Sequence, residues 1–86
     1  MVENTVVIHN DDGLHARPAT KIIEIVNNHK SNAFLCYNNK KINLRSIVSI
    51  MSLSIEKGTE IKFMTEGDDE QELLDKLIHL VDSKFE

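Results

Sequence analysis

Residues 33–44 read Ala-Phe-Leu-Cys-Tyr-Asn-Asn-Lys-Lys-Ile-Asn-Leu. Ala33, Leu35 and Tyr37 alternate with Phe34 and Cys36, the two-residue period of a strand whose faces meet different surroundings. Asn38-Asn39 then offers a residue type that tolerates the positive φ angles of a tight hairpin turn, and Lys40 to Leu44 returns beside the first strand. A hairpin here implies antiparallel pairing.

Upstream, Val2 to Ile8 is rich in β-branched residues and ends in His9-Asn10-Asp11-Asp12-Gly13, a run of turn formers. This predicts a strand and then a loop. From Ala16 onward, Ala16, Ala19, Ile22, Ile23 and Val26 recur at helical spacing, Pro18 fits only a first turn, and Asn27-Asn28 closes the pattern. Downstream, Ser46 opens a short helix with Ile47, Ile50 and Met51 on one face, ended by Lys57-Gly58. Thr59 to Glu66 alternates into a fourth strand that stops at Gly67. After Asp68-Asp69, which can cap a helix, Leu73, Leu74, Leu77, Ile78, Val81 and Phe85 trace an apolar stripe that predicts a last helix running to the C-terminus. The order βαββαβα predicts an α+β domain, helices packed on one face of an antiparallel sheet. Strand alternation also turns Val7, Phe34, Cys36 and Met64 to the other face, as a scatter of single exposed apolar side chains or, if the strand order brings them together, as one apolar patch.

A chain of 86 residues holds one core, so a single domain spans 1–86. Ten basic against fourteen acidic residues give a net charge of −4, which argues against nucleic acid as a partner. Although 41% of residues are apolar, no run approaches the roughly 20 needed to cross a bilayer, so no membrane insertion is expected. The start, Met-Val-Glu-Asn-Thr, lacks the features of a signal peptide, and a cytoplasmic, reducing location follows as the expectation. The single Cys permits neither an internal disulfide nor a zinc cluster, and His9, His29 and His79 have no zinc-like spacing, so no metal is expected. Met51 and Met64 suit packing.

The segment Asp12-Gly13-Leu14-His15-Ala16-Arg17-Pro18-Ala19 lies where a loop enters the first helix. The free N–H groups of a helix start attract anions, and the helix dipole there disfavours imidazolium, leaving a neutral ring able to act as a nucleophile. Arg17 can bring a guanidinium fork to a phosphoryl group carried by that ring. Nucleophile, cation and helix end together describe a phosphoryl acceptor, whereas a lone His in this position ordinarily does no more than cap the helix.

The same octapeptide resembles the active-site segment of HPr, the histidine-containing phosphocarrier family of the bacterial phosphoenolpyruvate:sugar phosphotransferase system. The resemblance covers the full length: the βαββαβα order, the Gly-x-His-x-Arg-Pro core, and Asn43-Leu44-Arg45-Ser46-Ile47 followed by Ile50-Met51-Ser52-Leu53. It implies an open-faced β-sandwich with four strands under three helices. It implies also a cytoplasmic carrier, not an enzyme and without a cofactor, that takes a phosphoryl group from Enzyme I onto Nδ1 of His15 and passes it to IIA domains of sugar transporters. Arg17 would neutralise the transferring group.

By physics alone Ser46 is a helix N-cap whose hydroxyl accepts a backbone N–H bond worth about 1 kcal/mol. The resemblance makes it a regulatory phosphorylation site for HPr kinase/phosphorylase. It places Ile47, Val48 and Met51 in a surface shared by Enzyme I, that kinase and catabolite control protein A, on a monomer. The family usually carries a small polar residue at the position of Asp12, methionine or a similar residue at Val48, and glycine at Ser49 and Ser54. Asp12 would tune transfer by repulsion. Two alternatives stand beside the carrier: a regulatory or nitrogen-branch HPr paralogue not serving sugar uptake, and a non-phosphorylated adaptor module. His15 weighs against a regulatory form lacking the acceptor, and Ser46 against the nitrogen branch.

Overall fold

The computed structural model describes residues 1–86 and orders them as β1 (Val2–Val7), α1 (Ala16–Asn27), β2 (Asn32–Tyr37), β3 (Lys40–Asn43), α2 (Ile47–Ser52), β4 (Glu60–Glu66) and α3 (Glu70–Asp82). The hairpin forms as its turn residues dictate, with φ at 52° for Asn38 and 64° for Asn39. All pairings are antiparallel and the sheet order is β1-β4-β2-β3. β4 therefore crosses into the middle, with Val6 opposite Ile61 on one side and Leu35 opposite Phe63 on the other. No helix is long and apolar enough to cross a membrane.

One face of the sheet buries Ala33, Leu35, Ile61, Phe63 and Thr65 against the helices. α1 contributes Ala19, Ile22 and Val26 to this core, and α3 contributes Leu73, Leu74, Leu77, Leu80 and Val81. Burying each of these Val, Ile and Leu side chains contributes roughly 1.5–3 kcal/mol, so these two helices hold the sheet. α2 buries only Ile50. A helix this short has little stability of its own and depends on that anchor and its cap.

Two helix ends differ from expectation. α2 stops at Ser52, well before Lys57-Gly58, because Ser54 takes φ of 52° and breaks the helical path. α3 stops at Asp82 and does not reach the C-terminus. Lys84 and Phe85 both adopt positive φ, the Phe85 N–H donates to the Leu80 carbonyl at 2.8 Å, and the Phe85 ring folds back into the core. Lys21 Nζ donates to the Phe85 carbonyl and fastens this turn to α1.

The outward sheet face is apolar over a smaller area than the alternation suggests. Phe34 lies opposite Met64, and the Cys36 thiol approaches the Met64 sulfur at 3.3 Å. The Lys41 ammonium covers the Phe34 ring at 4.4 Å. Val7 sits apart, opposite Glu60.

Candidate functional site

The loop before α1 is built on glycine. Gly13 has φ of +63°, and a β-carbon there would meet the backbone of Ile55 and Glu56. Its N–H donates to the Asn10 carbonyl at 3.2 Å, while Asn10 Nδ2 donates to the Gly13 carbonyl at 2.8 Å. Leu14 N–H donates to the Ile55 carbonyl at 3.0 Å. At the surface, Lys57 Nζ pairs with Asp11 at 2.9 Å, and that hydrogen bond and charge hold the Asp11 carboxyl below its usual value. Residues 10–14 are thus seated on the connection between α2 and β4.

This seating delivers His15 to the N-cap of α1 with an extended backbone, φ −77° and ψ −173°. Its carbonyl accepts the Ala19 N–H at 3.0 Å. Its ring makes no capping hydrogen bond and is exposed. The first-turn N–H groups of Ala16 and Arg17 have no intrahelical partners, and Pro18 has none to offer. Ring, free donors and positive helix end are therefore presented together to solvent, an arrangement suited to an anionic group on the imidazole.

His15 lines a shallow depression with Leu14, Met51, Ser54, Ile55 and Glu56. The exposed Arg17 lines a neighbouring depression with Asn10, Asp11, Asp12, Pro18, Lys84, Phe85 and Glu86. Arg17 and His15 share the first turn without a hydrogen bond between them, and the guanidinium is unpaired. Asp12 lines the same depression as Arg17, with no ion pair between them.

Ser46 occupies the N-cap of α2, and its hydroxyl accepts the Ser49 N–H at 3.2 Å. Beyond it, Ile47 is 39%, Val48 75% and Met51 39% exposed. Ile47 and Met51 are therefore surface residues more than core, and only Ile50 of the expected apolar face is buried. Met51 joins this exposed apolar group to the His15 depression.

Two residues of the region have roles that short-range pattern does not convey. Arg45 sends Nη2 toward the carbonyls of Val26, His29 and Ser31 at 3.3–3.4 Å and Nη1 toward Asn32 Oδ1 at 3.4 Å. Its charge thus settles at the C-terminal end of α1, where cations are favoured. Ser54 supports the His15 depression from a left-handed backbone conformation; the serine standing where the family usually has glycine was the available signal.

The family model for the PTS HPr component phosphorylation site matches residues 2–83. The HPr-like protein Crh of Bacillus subtilis is 42% identical over 77 residues, which cover 90% of this chain and 91% of that protein. Among solved structures, HPr of Thermoanaerobacter tengcongensis superposes with a TM-score of 0.95 at 42% identity, covering 99% of this chain and 96% of its own. A crystal structure of Crh from Bacillus subtilis, described as a dimer with a swapped domain, matches with a TM-score of 0.77 at 39% identity over 98% and 97% of the two chains. Matched along nearly its whole length and folded as these relatives are, the chain belongs to the HPr family of phosphocarrier proteins.

Proposed function

We propose that the protein accepts a phosphoryl group from phosphorylated Enzyme I on Nδ1 of His15 and passes it to IIA domains of sugar transporters. The observation that carries this reading is the exposed, uncapped imidazole at the N-terminus of α1. The Nδ1 lone pair forms the new N–P bond as the bond to the donor breaks; the reverse exchange delivers the group to the next acceptor. The carrier ends unchanged, with no cofactor in the step. Arg17, unpaired in the first turn, swings its fork onto the phosphoryl oxygens.

Regulation belongs to the same proposal. Phosphorylation of Ser46 by an HPr kinase/phosphorylase adds roughly 1.5–2 negative charges beside Ile47, Val48 and Met51, the surface on which Enzyme I, the kinase and catabolite control protein A dock. The proposal takes a monomer as the acting form. The swapped dimer of a relative makes sedimentation at working concentration the check on that point.

A second reading has its own support: relatives at 42% and 39% identity carry the name Crh, and the Crh whose structure is solved as a swapped dimer is described as a catabolite repression protein. A regulatory paralogue would use Ser46 and leave sugar uptake to another carrier. Incubation with Enzyme I, labelled phosphoenolpyruvate and magnesium separates the two. Acid-labile, alkali-stable label on the parent and none on His15→Ala supports the carrier. Equal label on His15→Ala, or none on the parent while Ser46 is phosphorylated by the kinase, overturns it.

A further inference from the structure

At the far end of α1 from His15, the side chains of His29, Asp69 and Glu72 converge where the chain leaving α1 meets the start of α3. One ligand-capable atom from each lies within 4.8 Å of the other two. The fold alone creates this grouping, since His29 has no partner at metal-binding spacing in the sequence. The His29 side chain is only 5% exposed. Its Nδ1 stands 2.7 Å from the Ile25 carbonyl oxygen. A carbonyl can only accept, so Nδ1 carries the proton, and in the neutral ring the free lone pair lies on Nε2.

Nε2 faces Glu72 Oε2 at 3.8 Å. With Nδ1 protonated, Nε2 and Glu72 Oε2 both offer electron pairs on the same side of the ring, so one metal ion can be shared between them. Asp69 is fixed at their side: Oδ1 accepts the Ser31 N–H at 2.9 Å and the Ser31 hydroxyl, and Oδ2 accepts the Lys30 N–H at 3.1 Å. Each carboxylate oxygen has two lone-pair directions, so Oδ2 retains one for a metal.

We propose that His29 Nε2, Asp69 and Glu72 form a three-ligand site for a divalent transition-metal ion of the zinc class, with water as the fourth ligand. One imidazole and two carboxylates suit zinc better than magnesium or calcium, which take oxygen shells. The Nδ1–H bond to Ile25 supplies the outer-shell contact that sets the tautomer and ring orientation of a metal-binding histidine. Metal–ligand bonds of about 2.0–2.2 Å require the three atoms to draw closer. Glu72, 61% exposed, can make that movement, and it can bind through Oε2 while Oε1 keeps its contact with Lys76 Nζ at 3.5 Å. The ion would staple the end of α1 to the first turn of α3, and the site is independent of the phosphocarrier reading.

The test is titration of the chelator-treated full chain with zinc chloride, followed by calorimetry and by NMR of the histidine rings. The His29 ring should shift at Nε2 with one equivalent of zinc while Nδ1 keeps its proton, ahead of His9, His15 and His79. Glu72→Gln, an exposed helix position where the fold should survive, should weaken binding at least about tenfold, and His29→Gln should abolish the specific step. Zinc reaching His15 or His79 first, or Glu72→Gln binding as tightly as the parent, would overturn the proposal. Loss of fold in His29→Gln leaves the Glu72→Gln comparison decisive.

Discussion

A β-carbon on Gly13 would collide with the Ile55 carbonyl oxygen, the same oxygen that accepts the Leu14 N–H at 3.0 Å. The loop that presents His15 therefore rests its backbone directly on the connection leading into β4. Gly13→Ala must both adopt φ of +63° and push that connection away. The left-handed conformation alone costs about 1–2 kcal/mol, so urea denaturation should show a total loss of at least about 2 kcal/mol. Phosphotransfer to His15 should slow in the fraction that remains folded.

Arg17→Lys should reduce the rate of phosphoryl transfer several-fold while leaving the melting temperature unchanged. The side chain is exposed and unpaired, so stability owes it little, but an ammonium cannot reproduce the two parallel donors of the guanidinium. Equal transfer rates at matched Enzyme I concentration would reduce Arg17 to a surface charge.

Ser54→Gly should stabilise the protein by about 0.5–1 kcal/mol. Glycine removes the left-handed penalty at φ of 52°, and the extra freedom it gives the unfolded chain offsets part of that gain. For a domain of this size the melting temperature should rise by roughly 2–8 °C. Because Ser54 borders the His15 depression, transfer kinetics of the same variant will tell whether its backbone conformation, which glycine keeps, is what the site needs.

Ser46→Ala should cost about 1 kcal/mol through loss of the cap to Ser49. Ser46→Asp should retain that stability, since Asp is an equally good cap and negative charge is favoured at a helix start. Its apparent affinity for Enzyme I should nevertheless fall, and protein phosphorylated at Ser46 should show a larger fall. Kinetics of His15 labelling at several carrier concentrations measure both.

Hydrogen bonds from the Ser31 hydroxyl, and then from the Lys30 and Ser31 N–H groups, hold the Asp69 carboxyl down at about 2, below its ordinary 3.8. The ionised form is thus the one the fold prefers, and its contribution is complete above pH 3.8. It should fade as the pH drops from there toward 2. With chelator present, the melting-temperature gap between the parent and Asp69→Asn should be constant from neutrality down to about pH 5 and close in stronger acid.

How much the sequence conveys depends on the range of the interaction. Asn38-Asn39, the alternation around Leu35 and Phe63, and the Ala19-Ile22-Val26 stripe are local signals, and each element forms where those signals lie. His15 and Ser46 were legible as helix starts because capping is decided within a few residues. The early end of α2 at Ser52 was not, since serine carries no marked preference for the left-handed turn that Ser54 makes. The return of Phe85 into the core was hidden for a related reason: an apolar residue at helical spacing continues a stripe on paper even when the backbone has already turned. Asp69 looks like an N-cap and occupies that position, yet its carboxylate reaches across to Ser31 and Lys30, a choice made by tertiary packing. The neighbourhood of His29 is of the same kind, assembled from the segment that leaves α1 and the start of α3, far apart in the chain.

The guanidinium of Arg45 is spent on the carbonyls of Val26, His29 and Ser31, although the residue stands immediately before Ser46. Substitutions around the phosphorylation site will therefore mix two kinds of phenotype. Arg45→Ala loosens the exit from α1 and lowers the amount of folded protein, whatever the kinase itself reads. Only when activities are normalised to folded protein will the recognition determinants of Ser46 separate from the scaffold that carries it.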